Sequence, residues 1–370
     1  MDTLELDGST LEGGGQLLRI AVALSALLSR PISINNIRGK RKPPGLKYQH
    51  AAGLRLVAEV CAARLDGCNT GSTTIELVPQ SPQVTSRTYS ADPGTAGSIA
   101  LLLQVSLPSL LFSPSPGAPS TLVLRGGTNA AQAPQIDHMQ HVFLPFLRRH
   151  LGLEPTLEIV KRGYFPKGGG EVHVSIPAVR GPLPAVTLVE RGKVKAVRGR
   201  SYAAGLPKSL ADAMCAAATE VLVESGVDAE LIQIDAVREK PGDAVGSGSG
   251  IVLWAETEDG CIFGGSALGR KGVDPARVGK EAGGELVGNI AHGGCVDEHM
   301  QDQMIIFLAL AQGHSTVKTG PLTLHTRTAM WVAEQLTEAK FRVQETEDGA
   351  VIECDGIGYV PTSRAVCSQS

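Results

Sequence analysis

With 370 residues, 42% hydrophobic and 19% charged, the chain has ample material for a buried core and about two domains. Its net charge of -3 excludes a wholly basic nucleic-acid coat, so contact with an anionic polymer has to be local. The longest mostly apolar runs, Ile20 to Leu28 and Ala100 to Phe112, are too short to span a bilayer, which predicts no membrane partner. Asp2, Glu5 and Asp7 do not fit the basic start of a secretory signal. Seven cysteines without a CxxC pair read as reduced thiols of an intracellular protein, with no zinc site.

In chain order, a strand at Thr3 to Asp7 leads through Glu12-Gly13-Gly14-Gly15 into a helix from Gln16 to about Leu28. A strand at Ile32 to Ile37, the loop RGKRKPPGLKYQH, a helix from about Gln49 to Leu65 and a strand at Thr73 to Leu77 follow. The order then returns. Gly94-Thr95-Ala96-Gly97-Ser98 opens a helix to about Leu111, followed by a strand at Ser120 to Arg125 and a loop to Pro134. A helix to about Leu151 and strands near Thr156 to Lys161 and Glu171 to Ile176 close that copy. A third copy takes a helix at Gln301 to Leu310, a strand at Ser315 to Lys318 and a helix after His325. Strands at Arg342 to Thr346 and Ala350 to Cys354 end it. The expected class is α/β (α+β): three repeated βαβαββ units form a large domain of residues 1–184 and 281–370, with helices packed between the sheets. Residues 185–280 are expected to be an inserted small α/β domain. Its strands are Val186 to Glu190, Glu230 to Ala236 and Ile251 to Thr257, its helix Ser209 to Glu224, and Gly246 to Gly250 a flexible hairpin or a phosphate loop.

The strongest compositional signal is an absence. From Gly13 to Ala58 there is no acidic residue, while Arg38, Lys40, Arg41, Lys42 and Lys47 crowd into one loop stiffened by Pro43 and Pro44. Such a loop can grip polyphosphate or an RNA backbone, although a solvated basic surface or a nuclear-import signal has the same composition. The glycines after Glu12 let backbone amides approach an anion, and Glu12 could hold a divalent metal beside it. Gln104 sits inside the apolar run LLLQVSLP and has to find a partner for its amide. In PLTLHTRTAMWVAEQLTEAKF, apolar residues recur at helical spacing from Ala329, Thr326 or Thr328 can cap the helix, and His325 stands just before it. A helix start disfavours an imidazolium, so His325 is expected to be neutral, with a ring nitrogen free to attack phosphorus or, more plainly, to pack or cap. Asp302 could take a metal or a ribose hydroxyl, Gln303 could donate to phosphate, and Pro134 and His299 offer flat faces for a purine.

Taken together, Glu12-Gly-Gly-Gly-Gln-x-x-Arg19, Arg38-x-x-Arg41, PGLxxQH ending at Gln49-His50, GTAGS, GGTN, QDQ at Gln301 to Gln303, GYFPKGGGEV and His325-x-x-Thr328 resemble the RNA 3'-terminal phosphate cyclase family, in its animal form above all through TGPLTLHT. The resemblance implies that the inserted domain is thioredoxin-like. It implies ATP and Mg2+ or Mn2+ as cofactors, RNA 3'-phosphate ends as substrate, and a 2',3'-cyclic phosphate as product. It makes His325 the nucleophile that forms histidyl-AMP. It gives Glu12, Arg19, Arg38, Arg41 and Gln49 to metal and phosphates, and Gln104, Pro134, His299, Asp302 and Gln303 to the nucleotide. His299 departs from the tyrosine expected to stack on adenine. The animal-like form implies residence in the nucleus. Two other readings share the fold pattern: a ribosomal-RNA maturation factor without the nucleophilic histidine, and an enolpyruvyl transferase built from similar repeats.

Overall fold

The computed structural model describes residues 2–80, 86–113 and 118–361. The first block contains β1 (Leu4–Asp7), α1 (Gly15–Leu28), β2 (Ile32–Asn35), α2 (Tyr48–Val60), β3 (Arg64–Asp66) and β4 (Ile75–Val78). The second contains β5 (Thr88–Ala91), α3 (Ile99–Leu111) and β6 (Ser120–Gly126). One helical run follows, made of α4 (Ile136–His138), a π-helical turn (Met139–Phe143) and α5 (Leu144–Leu151), and β7 (Thr156–Gly163) and β8 (Gly170–Ile176) end the block. After β9 (Thr187–Leu188) come β10 (Val194–Ala204), α6 (Lys208–Glu224), β11 (Ile232–Arg238), β12 (Ala244–Val245), β13 (Gly248–Thr257), β14 (Ile262–Leu268) and α7 (Pro275–Ala291). The chain then forms α8 (Glu298–Gln303), α9 (Ile305–Leu310), β15 (Gln312–Thr319), α10 (Leu324–Leu336), β16 (Lys340–Glu345) and β17 (Ala350–Ile357). The fold is mixed α/β.

Three of the sheets share one strand order: β1-β2-β4-β3, β5-β6-β8-β7 with β12 added beyond β7, and β9-β15-β17-β16. In each, the first two strands pair in parallel and the next two pairs are antiparallel, while the added β12 joins β7 in parallel. The fourth sheet has the order β11-β10-β13-β14, and α6 and α7 pack on it and on each other. In α3 and α9 nearly every residue is buried, and in α1 ten of fourteen are, as required of helices enclosed by other layers. α1 lies against α3 and α10, and α2 against α3. Among the described residues no helix is long and apolar enough to cross a membrane. The six described cysteines are free thiols, and Cys367 lies outside the described residues.

Several expected boundaries move. The second helix stops at Val60, because Ala62 takes a left-handed φ of 50° and Leu65 pairs with Leu77 across β3 and β4. The strand expected at Val186 to Glu190 joins no strand of the fourth sheet; Thr187 and Leu188 pair with Thr316 and Val317 instead. Residue 280 falls inside α7, which the sequence reading did not anticipate, and β5 was likewise unforeseen. Gly248 to Gly250 are not a free hairpin; they begin β13, paired with Tyr202 to Ala204. The helix expected from Gln301 to Leu310 breaks at Met304 into α8 and α9.

Candidate active site

The turn from β1 into α1 is shaped by its glycines. Gly13 has φ +60°, a Cβ on Gly14 would collide with the Glu12 carboxylate, and one on Gly15 would come 2.6 Å from His50 Nε2. α1 has no side-chain cap, so its first amides remain open to an anion. α2 and α10 also present their starts to the same space: Lys47, Gln49 and His50 from one, Thr323 and His325 from the other, and Glu298, His299, Asp302 and Gln303 from α8 complete it. The resulting cleft has a volume of about 530 Å3, within the range of small-molecule sites. The residues that the resemblance gives to metal, phosphates, nucleotide and nucleophile all line it: Glu12, Arg19, Arg38, Arg41, Gln49, Gln104, Pro134, His299, Asp302, Gln303 and His325, whereas Lys40 and Lys42 of the basic loop do not.

The cationic side is only partly free. Arg38 is buried and donates from one guanidinium nitrogen to the carbonyls of Pro43 (3.0 Å) and Gly45 (2.9 Å), so part of it folds its own loop. Arg41 pairs with the Glu12 carboxylate, and Arg19 bonds Gln16. Gln49 Oε1 accepts the Ser98 N–H (3.0 Å), tying α2 to the start of α3. His50 Nδ1 accepts the Lys47 N–H (3.1 Å), which puts the proton on Nε2. Burial, then Arg19, Arg38 and Lys47, lowers the His50 pKa to about 3, making it a neutral donor beside Arg19.

His325 does not stand before α10 but in its first turn. The cap is Thr323, whose hydroxyl accepts the Thr326 N–H (3.1 Å), and not Thr326 or Thr328. Tertiary bonds select it: Gln301 Oε1 accepts from the Thr323 N–H (2.9 Å) and the Thr326 hydroxyl (2.6 Å), and Gln301 Nε2 donates to Thr319 Oγ1 (2.5 Å). Thr328 Oγ1 accepts the Glu12 N–H (3.2 Å), joining this helix to the glycine turn. The His325 pKa is lowered, first by burial, with Arg19 and Arg41 lowering it and Glu12 and Glu298 opposing. A neutral ring follows, though loss of water is the leading cause where the helix start was expected to be.

On the other side, His299 meets His138 edge-on (ring centroids 5.5 Å) and lies 3.8 Å from Glu285. His138 in turn lies 3.0 Å from the buried Asp297, which caps α8. Burial raises Asp302 to about 7 although Arg19 opposes it. Gln303 donates one N–H to the His299 carbonyl (2.7 Å), which leaves the second N–H of that amide and an unpartnered oxygen. Gln104 Oε1, Gln16 Nε2, Arg19 Nε and Glu12 Oε2 are also buried without partners. Such a concentration of unmet polar atoms fits a site completed by a polar ligand.

Glu12 offers a metal one free oxygen beside three arginines, the donor set of a cation held mainly by phosphates and water. Among the described residues one other group could hold an ion, Glu285, Glu298 and His299. Lys47 of the basic loop also lines the cleft, and Gln16, His50, Glu298 and Thr323 line it without standing among the expected site residues; only the QH of the second helix and the GGGQ run point to two of these four.

A family model described as RNA 3'-terminal phosphate cyclase matches residues 10–343. The chain belongs to the RNA 3'-terminal phosphate cyclase family. It is similar to the RNA 3'-terminal phosphate cyclase of Pyrobaculum neutrophilum, 40% identical over 96% of this chain and 99% of that one. The RNA 3'-terminal phosphate cyclase of Drosophila melanogaster is 39% identical over 96% and 97%. The probable RNA 3'-terminal phosphate cyclase of Dictyostelium discoideum is 40% identical over 97% and 84%. Across the family match, residues from the glycine turn through α10 build the cleft just described.

Proposed function

We propose that this cyclase family member uses ATP to convert an RNA 3'-terminal phosphate into a 2',3'-cyclic phosphate, with His325 as nucleophile. In the first step the unprotonated His325 nitrogen attacks the α-phosphorus of ATP. A P–N bond forms, the bond from that phosphorus to the bridging oxygen breaks, and pyrophosphate leaves. An oxygen of the RNA 3'-phosphate then attacks the same phosphorus, the P–N bond breaks, and His325 is regenerated. Finally the 2'-hydroxyl attacks the 3'-phosphorus, losing its proton, and AMP departs. Ring closure gains from proximity, since nucleophile and phosphorus share one ribose.

Arg19, Arg38, Arg41, Gln49 and the open amides of α1 hold the phosphates and the charge that develops on them. Gln104, Pro134, His299, Asp302 and Gln303 hold the nucleoside. Mg2+ or Mn2+, when bound at Glu12, would add charge neutralisation on the polyphosphate. Nuclear residence belongs to the same reading, resting on the animal-like motifs. The shared strand order supports the view that the three sheets are copies of one βαβαββ unit, interrupted by a small thioredoxin-like domain around α6 and α7.

One observation carries the function: a neutral His325 shares a cleft with Arg19, Arg41 and a glycine-rich helix start. The same observation disfavours a non-catalytic RNA-binding factor of this fold. ATP labelled in the α-phosphate should mark the protein in an acid-labile manner, and His325→Ala should abolish the mark while melting like the unsubstituted protein. Retained labelling in that variant would move the nucleophile elsewhere.

A further inference from the structure

Every Trp, Tyr and Phe lies in the described residues, yet only Tyr48 and Phe165 are exposed, at 58% and 81%. A large ring left in water forgoes considerable burial, and the segments carrying these two are anchored to one loop. Tyr48 stands between Lys47 and Gln49, which both line the cleft. Gln49 packs against Gly97, where a Cβ would meet it at 2.9 Å, so the rim of α2 is fastened to the loop of residues 94–98. The turn carrying Phe165 is fastened to that loop too, since a Cβ on Gly168 would come within 2.5 Å of the Thr95 carbonyl. Exposed lysines flank both rings along the chain: Lys47 precedes Tyr48, Lys42 lies in the loop before it, and Lys167 follows Phe165 by two positions. Among the described residues the lysines found in ion pairs are Lys208 and Lys280, so none of these three has an acidic partner. Leu11 and Leu324, also exposed, immediately precede Glu12 and His325.

We propose that Tyr48 and Phe165 are stacking platforms for bases of single-stranded RNA upstream of the reacting 3'-phosphate, with Lys42, Lys47 and Lys167 following its backbone. The inference rests on the reading of the cleft as a 3'-phosphate cyclase site. Alternating rings and unpaired cations are the chemistry that recognises single-stranded nucleic acid, and stacking accepts any base, so RNA ends of any sequence should be used. Tyr48 serves the nucleotides nearest the cleft and Phe165 those further upstream.

The test uses the full chain with 3'-phosphorylated RNA, as a dinucleotide and as a single strand of about ten nucleotides. Tyr48→Ala should raise KM for RNA about tenfold at unchanged kcat, and Tyr48→Phe should restore it. Phe165→Ala should raise KM for the longer RNA alone. AMP labelling from ATP without RNA should be the same in all three variants. An unchanged KM in both alanine variants, or an equal loss in Tyr48→Phe, overturns the proposal. Absence of AMP label in the unsubstituted protein, read before RNA is added, sinks the cyclase reading and this one with it.

Discussion

At Asp302 a carboxyl only 8% exposed faces Arg19, and burial still carries its pKa up to about 7 from an ordinary 3.8. A folded state that holds a proton more tightly than the unfolded chain loses stability as pH rises between those values, and the loss levels off above about 7. Asp302→Asn, which has no proton to lose, should therefore be more stable than the unsubstituted protein at pH 8, by on the order of 2 kcal/mol. At pH 4 the difference should vanish, because the carboxyl is then protonated in the fold. Urea unfolding at the two pH values reads this directly; an equal gain at both would mean that packing, not ionisation, sets the cost. Weaker AMP labelling in the same variant is expected if the carboxylate serves the nucleotide. Glu12 is held by a different contact. Its carboxylate pairs directly with the Arg41 guanidinium, so a cation bound there has to share or displace that contact.

At the scale of an element, the start of α10 decides whether His325 faces the cleft. Thr323 caps the helix and Gln301 holds Thr319, Thr323 and Thr326 together, so the angle of the first turn is set from α8 as well as locally. Thr323→Ala should cost about 1 kcal/mol of stability, the usual worth of a cap. It should also lower the rate of AMP labelling several-fold, while Thr323→Ser keeps both near their original values. A stability loss with an unchanged labelling rate would show that the turn stays in place without its cap. Periodicity located this helix, since Ala329, Val332, Ala333 and Leu336 are buried at the expected spacing. It offered Thr326 or Thr328 as the cap and missed Thr323, whose N–H is held by Gln301 from α8.

For the whole molecule, the buried Arg162 of β7 joins the second sheet to the fourth. It donates to both Asp137 oxygens (2.7 Å each) and lies 3.2 Å from Glu239, which follows β11. Removing one partner leaves uncompensated buried charge, so Arg162→Ala should lower the unfolding free energy by about 3–5 kcal/mol. A denaturant midpoint close to that of the unsubstituted protein would show that β12, paired to β7, suffices to hold the two sheets together. Some of this organisation is legible along the chain: the acid-free, arginine-rich stretch after Gly13, the glycines that admit an anion, the apolar faces of the helices, and a recurring order of elements. These are local properties of neighbouring residues, and composition and spacing carry them. The tertiary structure alone decided that Glu12, Gln104, Pro134, Asp302 and His325 meet in one cleft. It also decided that Thr187 and Leu188 pair with a strand beginning at Gln312. Such choices depend on contacts between residues as much as 316 positions apart, for which neither propensity nor period contains any information.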